Sequence, residues 1–182
     1  MAKNSWNLTA ADGTLTLYTG VSGPASKMGH RLTLEMESWR ATVDWDGDQP
    51  ASATVVVDLD SLKVLSGEGG VTPLSGPEKG LVRSNALKTL NAKKFPTVEF
   101  RTESITARNG GYLLHGPLTV RGVSQPVDLE LQVRDAGDEW ELALETEVSQ
   151  AAHKVKPYSM AMGAMKVADA VRVTFAGRHA KG

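Results

Sequence analysis

The sequence predicts an all-β protein, an antiparallel barrel or sandwich with one or two short helices around residues 76–91. Three observations predict it. Apolar and polar residues alternate along most of the chain, the period-two mark of strands with one buried face. Turn signals separate the alternating runs at short intervals. One stretch alone switches to helical spacing. At 182 residues the chain suits a single domain, 1–182, with one core.

The runs come in order. Leu15 and Leu17 alternate with Thr14, Thr16 and Tyr18. Leu32, Leu34 and Met36 alternate with Arg31, Thr33, Glu35 and Glu37. Ala41, Val43 and Trp45 oppose Thr42, Asp44 and Asp46, and Val55, Val57 and Leu59 oppose Val56, Asp58 and Asp60. Residues 63–76, rich in glycine, read as a long loop.

Ser75-Gly76-Pro77-Glu78 then reads as a helix start. Ser75 caps, Pro77 sits in the first turn, and Glu78 lies three residues after the cap. Val82, Ala86 and Leu90 follow at i, i+4 and i+8 as one apolar stripe. Lys93 and Lys94 suit the end of the helical region and Pro96 stops it. A break at Gly80 would divide the stretch into two helices, with Ser84 capping the second.

Alternation resumes with Val98 and Phe100, then with Tyr112 and Leu114 leading to Leu118 and Val120. Val127, Leu129, Leu131 and Val133 follow, then Trp140, Leu142 and Leu144, and last Val171, Val173 and Phe175. Turns fall at Asp46-Gly47, Asn109-Gly110-Gly111, Arg121-Gly122 and Ala136-Gly137-Asp138. That makes about eight or nine strands sharing one interior. A closed sheet has no exposed edges. An eight-stranded barrel is just wide enough to be filled by side chains or to hold one ligand, and periodicity does not choose between them.

Composition narrows the function. A net charge of −1 argues against nucleic acid, which needs a basic excess. It gives no reason for attraction to an anionic membrane either. The absence of cysteine removes disulfides, thiolate catalysis and cysteine-bound zinc. It fits a reducing cytoplasm. Met1 to Leu8 lacks the apolar run of a signal peptide, and no later stretch has the roughly 18 apolar residues of a membrane span. The expectation is a soluble cytoplasmic protein without stable membrane insertion. A homodimer is compatible with the sequence, which does not show one.

Catalysis finds little support. His30, His115, His153 and His179 lie far apart without metal-binding spacing. There is no GxSxG elbow and no phosphate-binding glycine loop. Asp44, Asp46 and Asp48 lack the glycine and distal glutamate of a calcium loop and read as an acidic turn. We expect no enzyme, no metal and no cofactor.

Four ordered blocks carry a resemblance. They are LVRSNALKTLNAKKFPTVEF at 81–100, GPLTVRGVSQPV at 116–127, ASKMGHRL at 25–32 and KPYSMAMGAMK at 156–166. The first two resemble the signatures of the YceI-like family, in order and spacing. The last two resemble an actinobacterial-type branch of it. The resemblance implies a lipocalin-like antiparallel barrel, usually eight-stranded. Its elongated apolar cavity would take a polyisoprenoid, an isoprenoid quinone or a similar amphiphile. Three departures stand out: Leu81 replaces a common histidine, Met28-Gly29-His30 replaces the usual HLG motif, and 63–76 looks like a longer loop than in the best-known members.

The expected apolar pocket comprises Leu15, Leu17, Leu32, Leu34, Met36, Val43, Trp45, Val57, Leu87, Phe95, Phe100, Leu118, Leu129, Leu144, Met160, Met162 and Met165. The methionines suit an irregular apolar shape, or simply fill a core. Each buried methylene contributes roughly 0.8 kcal/mol, so a long tail needs few polar contacts. Head-group candidates are His30 and Arg31, with His153, Lys156 and Tyr158; Lys27, Lys154 and Lys166 lie nearby. His30 also suits a bond to a turn carbonyl, and Arg121 suits hairpin geometry and a structural ion pair. Three functions stay open: a lipid-holding barrel, an enzyme using His115 on a bound lipid or quinone, and a packed interaction barrel closed by Trp39, Trp45, Trp140 and Phe100.

Overall fold

A computed structural model describes residues 4–182. The first three residues of the stretch read above for a signal peptide lie outside them. The strands are β1 (Asn4–Thr9), β2 (Gly13–Tyr18), β3 (Val21–Ser22), β4 (His30–Met36), β5 (Trp39–Asp46), β6 (Gln49–Asp58) and β7 (Leu62–Gly69). After helix α1 (Gly76–Thr89) come β8 (Thr97–Arg101), β9 (Ser104–Arg108), β10 (Gly111–Val120), β11 (Val123–Asp135) and β12 (Glu139–Ser149). Then follow β13 (Ser159–Met160), β14 (Met165–Val167) and β15 (Ala170–Ala180).

One large antiparallel sheet runs β1-β5-β6-β8-β10-β11-β12-β15-β2-β4-β7, with β9 on β10. Its ends are not true ends. β1 and β2, β4 and β5, β6 and β7, and β8 and β9 are each one run of chain with a bend. Taking each run as one segment gives eight. Segment one pairs with segment two through β1–β5 and β2–β4, and the last strand, β15, pairs back onto β2. The order therefore returns on itself as a strongly curled, eight-segment antiparallel barrel. The fold expected from alternation is the fold observed.

The bends form the packed corner of the molecule. Met36, Trp39, Val57, Leu59 and Leu62 lie on the two sides of the bends and are buried together with Leu8, Leu34 and Leu142. Trp39 meets Phe175 edge to face at 5.3 Å, a favourable aromatic geometry. Glu37 and Ser38, the exposed residues between β4 and β5, let the chain turn without opening this core.

The helix forms as one piece through Gly80. Ser75 caps it: its hydroxyl accepts from the Glu78 amide at 3.3 Å, and Glu78 accepts from the Ser75 amide at 3.4 Å. Arg83 then reaches from α1 to the edge of β7. Its Nε donates to the Leu62 carbonyl at 2.8 Å, and its guanidinium also meets the Asp60 backbone and carboxylate. The helix thus covers and satisfies a sheet edge that would otherwise be open.

Three sequence readings change. The long loop expected over 63–76 is strand β7 up to Gly69, laddered to β4, with Leu62 and Val64 buried. Its glycines masked a two-residue alternation. β1 and β9 were not anticipated, because Trp6 with Leu8 and Ile105 with Ala107 are too short to register as periodic. Arg121 makes no ion pair among the described residues; it donates to the Lys154 carbonyl at 3.2 Å.

The Arg121-Gly122 hairpin explains why the two long sequence blocks occur together. Both residues have positive φ, 51° and 75°, as a two-residue turn between β10 and β11 demands. A Cβ on Gly122 would lie 2.6 Å from the Phe95 ring. Phe95 from the first block packs flat on the turn backbone of the second.

Candidate functional site: an apolar cavity with an exposed rim

The strands' inward faces do not meet across the barrel. They enclose a cavity of about 670 Å³, within the usual range for ligand pockets and far above a packing defect. Its wall is almost wholly aliphatic. β2 and β4 supply Leu15, Leu17, Leu32, Leu34 and Met36. β5 and β6 supply Val43 and Val57, and β8 supplies Phe100. β10, β11 and β12 add Leu118, Leu129 and Leu144, and the small sheet β13-β14-β3 adds Met160 and Met165.

Helix α1 closes the gap beside β7. Glu78, Leu81, Val82, Asn85, Ala86 and Thr89 face the cavity, the i, i+3, i+4, i+7 face of a helix. Sequence reasoning found the Val82–Ala86–Leu90 stripe but named Leu87 for the pocket. At 100° per residue Leu87 sits about 140° round from Val82, and it packs into the protein core instead.

Three other nominated residues lie outside the lining. Trp45 stands near the end of β5, opposite Asn4 of β1, and does not reach the lining. It packs on Trp6, ring centroids 4.9 Å apart, and Trp6 stacks on His179 at 4.0 Å. Phe95 is taken by the Gly122 turn. Met162 sits at the tip of the β13–β14 turn and is fully exposed. Leu114, Val173 and Phe175 line the cavity and were not nominated, although the same alternation that found their neighbours contained them.

The polar residues at the wall are mostly engaged by the protein itself. His153 is 2% exposed. Its two ring nitrogens each lie 3.1 Å from a carbonyl oxygen, of Ser149 and of Leu118. That ring fastens the turn after β12 to β10 and leaves no nitrogen for a ligand. His30 Nε2 donates to the Thr72 carbonyl at 2.7 Å, tying the loop after β7 to β4. Asp169 anchors the same turn as His153: the Ser149 hydroxyl donates to it at 2.6 Å and the Ala151 amide at 2.7 Å. These bonds, the Ser149 one first, hold its carboxyl below the usual aspartate range. Tyr158 and Lys166 also reach the lining, whereas Arg31 and Lys156 do not.

The opening is marked by side chains that line the cavity and yet are exposed: Met28 (60%), Leu81 (62%) and Met160 (50%). The loops bearing the two methionines are in contact. The Ala25 amide donates to the Ala164 carbonyl at 2.8 Å, and Gly29 lies so close to Val21 and Met165 that a Cβ would clash with both.

His115 stands on the outer face of β10, opposite Asp128, with Nδ1 2.6 Å from the carboxylate. Its neighbour Leu114 points inward. No metal-capable cluster of acidic and histidine side chains occurs among the described residues. No helix of the described residues is long and apolar enough to cross a membrane.

An antiparallel barrel around an aliphatic cavity with an exposed rim defines a lipocalin-like fold. Residues 6–178 match the YceI-like domain, and the chain belongs to that family. Among solved structures it is similar to BcnA of Burkholderia cenocepacia, with TM-score 0.70 and 18% identity, covering 93% of this chain and 98% of that one. It is also similar to the YCEI protein of Campylobacter jejuni, with TM-score 0.61 and 15% identity, covering 82% and 84%. At such identities the likeness is one of fold. No curated protein sequence matches the chain.

Proposed function

We propose that the barrel holds a long apolar chain, a polyisoprenoid, an isoprenoid quinone or a similar amphiphile, as a carrier or store. The observation that carries this reading is the cavity: about 670 Å³ walled by aliphatic side chains from all eight barrel segments and from α1. Divided by the ~30 Å³ that one water-sized group occupies in a liquid, it has room for about 20 such groups. Ten buried methylenes would contribute roughly 8 kcal/mol before the entropic cost of binding. Because His30 and His153 are already bonded to backbone carbonyls, affinity comes from the tail. A head group would lie at the rim, near Tyr158 and Lys166, with Arg31 and Lys156 close by in sequence. The packed-barrel alternative is disfavoured by the cavity, and the enzymatic one by the outward position of His115. On composition we assign the carrier to the cytoplasm.

A direct test is titration with dansylundecanoic acid, a water-soluble fluorescent amphiphile, followed by competition with a long-chain isoprenoid quinone. Saturable uptake that the quinone reverses is expected. Leu129→Trp, which projects an indole into the cavity, should abolish uptake. No saturable uptake by the folded wild-type protein would overturn the reading.

A further inference from the structure

The rim of the cavity carries apolar side chains that no part of the described chain covers. Met28 is 60% exposed, Met160 half exposed, Val71 76% exposed, and Met162 fully exposed. Soluble proteins scatter single apolar residues over their surface without consequence. Here four large ones lie on adjoining loops around one opening, and the exposed Leu81 of α1 lines the same cavity. The Ala25–Ala164 hydrogen bond joins the loop of Met28 to that of Met162, and the His30–Thr72 bond brings the loop of Val71 to the same rim.

The Met162 turn is also held in an uncommon conformation. Ala161 and Met162 have φ of 52° and 55°, so two successive residues with side chains occupy the left-handed region. That region is disfavoured for any residue bearing a Cβ. A glycine pair would make the same turn more easily. The turn instead places a methionine at its tip, with its thioether in solvent.

Cations flank these side chains. Lys27 precedes Met28, Lys166 follows Met165, and Lys154 and Lys156 lie in the segment leading to β13. All four are exposed, and none has an ion-pair partner among the described residues. Asp169, in the turn beside Lys154, is engaged by the Ser149 hydroxyl and the Ala151 amide. The net charge of the whole chain conceals this local surplus.

We propose that this rim docks on the surface of an anionic lipid bilayer, with Met162, Met160, Met28 and Val71 entering the interface and the four lysines facing the head groups. The mouth would then open onto the acyl region, so that a ligand passes between membrane and cavity without crossing water. The purpose assigned to the docking rests on the lipid-holding reading, but the docking itself does not. Interfacial binding of this kind combines buried apolar area with attraction of basic residues to anionic lipid. It needs no spanning segment.

The experiment is co-sedimentation of the full chain with equimolar phosphatidylglycerol–phosphatidylcholine vesicles and with phosphatidylcholine vesicles alone. Binding to the anionic vesicles, weakened by added salt, is expected. Met162→Ser should weaken it roughly tenfold, the effect of withdrawing one large apolar side chain from an apolar phase. Lys27→Gln and Lys154→Gln should each weaken it about fivefold. Neither class of variant should alter uptake of dansylundecanoic acid from solution, which reads the cavity, whereas Leu129→Trp should abolish that uptake and leave sedimentation unchanged. Failure of the cavity reading and failure of the docking reading are thus separate results. Absence of sedimentation by the wild type, equal sedimentation without phosphatidylglycerol, or indifference to Met162→Ser overturns the docking. So does a dimer in solution that Met162→Ser dissociates, which would assign the patch to a second copy of the chain.

Discussion

The bent corner of the barrel and its open rim use similar residues to opposite ends. At the corner, Met36 is 2% exposed and packed among Trp39, Leu59 and Leu62. At the rim, Met162 touches almost nothing and is fully exposed. Corner side chains are buried by the chain itself, and their removal leaves a hole. Rim side chains stabilise nothing visible in the isolated fold. A residue type therefore says little about its role; what surrounds it does. The cavity wall overlaps the corner at Met36 and Val57, which pack in the core cluster and also line the cavity.

The comparison is most easily broken at the corner. Trp39→Ala should destabilise the fold by about 3–5 kcal/mol, through lost burial and a residual cavity. The urea midpoint should fall accordingly, whereas Met162→Ser should move it by less than about 0.5 kcal/mol. Equal effects at the two positions would remove the distinction. His153→Leu probes the boundary between the regions. It leaves the carbonyls of Ser149 and Leu118 without their ring partner, and about 1–3 kcal/mol should be lost in thermal unfolding. Ser75→Ala removes the cap of the helix that completes the wall and should destabilise by about 1 kcal/mol.

The smallest expected effect is one of pH. Hydrogen bonds hold the Asp169 carboxyl below its ordinary 3.8 in the folded chain. A carboxyl depressed by folding contributes stability above its unfolded value and loses it as pH falls through the folded one. The turn at 149–153 should therefore loosen only below about pH 4. Amide exchange of Ala151 across that range measures it, and Asp169→Asn should flatten the dependence. The exposure of Asp169 keeps the effect small.

Much of the barrel was legible because period-two alternation encodes both the strands and the face they bury. Leu15, Leu32, Val57 and Leu144 fell inside for that reason. The fate of Trp45 was not legible: it keeps the alternation of Val43, but near the end of β5 its ring is taken up by Trp6 rather than by the cavity. Phe95 and Met162 failed differently. Their chemistry suits a pocket, but only tertiary structure shows that one packs on a glycine turn and the other on nothing. The helix stripe was readable, yet which side of it met the cavity depended on how α1 sits against β7. The rim lysines were visible one by one. Their convergence around a single opening was not, because residues near 27 and 166 meet only through the small sheet.

The central claim is that the aliphatic interior exists to hold a chain-like lipid. Native mass spectrometry of freshly purified protein, released gently into the gas phase, measures this most directly. The account predicts an adduct that dissociates as an apolar, chain-like molecule from the wild type and is missing from folded Leu129→Trp. A wild type that emerges bare, and stays bare after incubation with isoprenoid quinone, would contradict it.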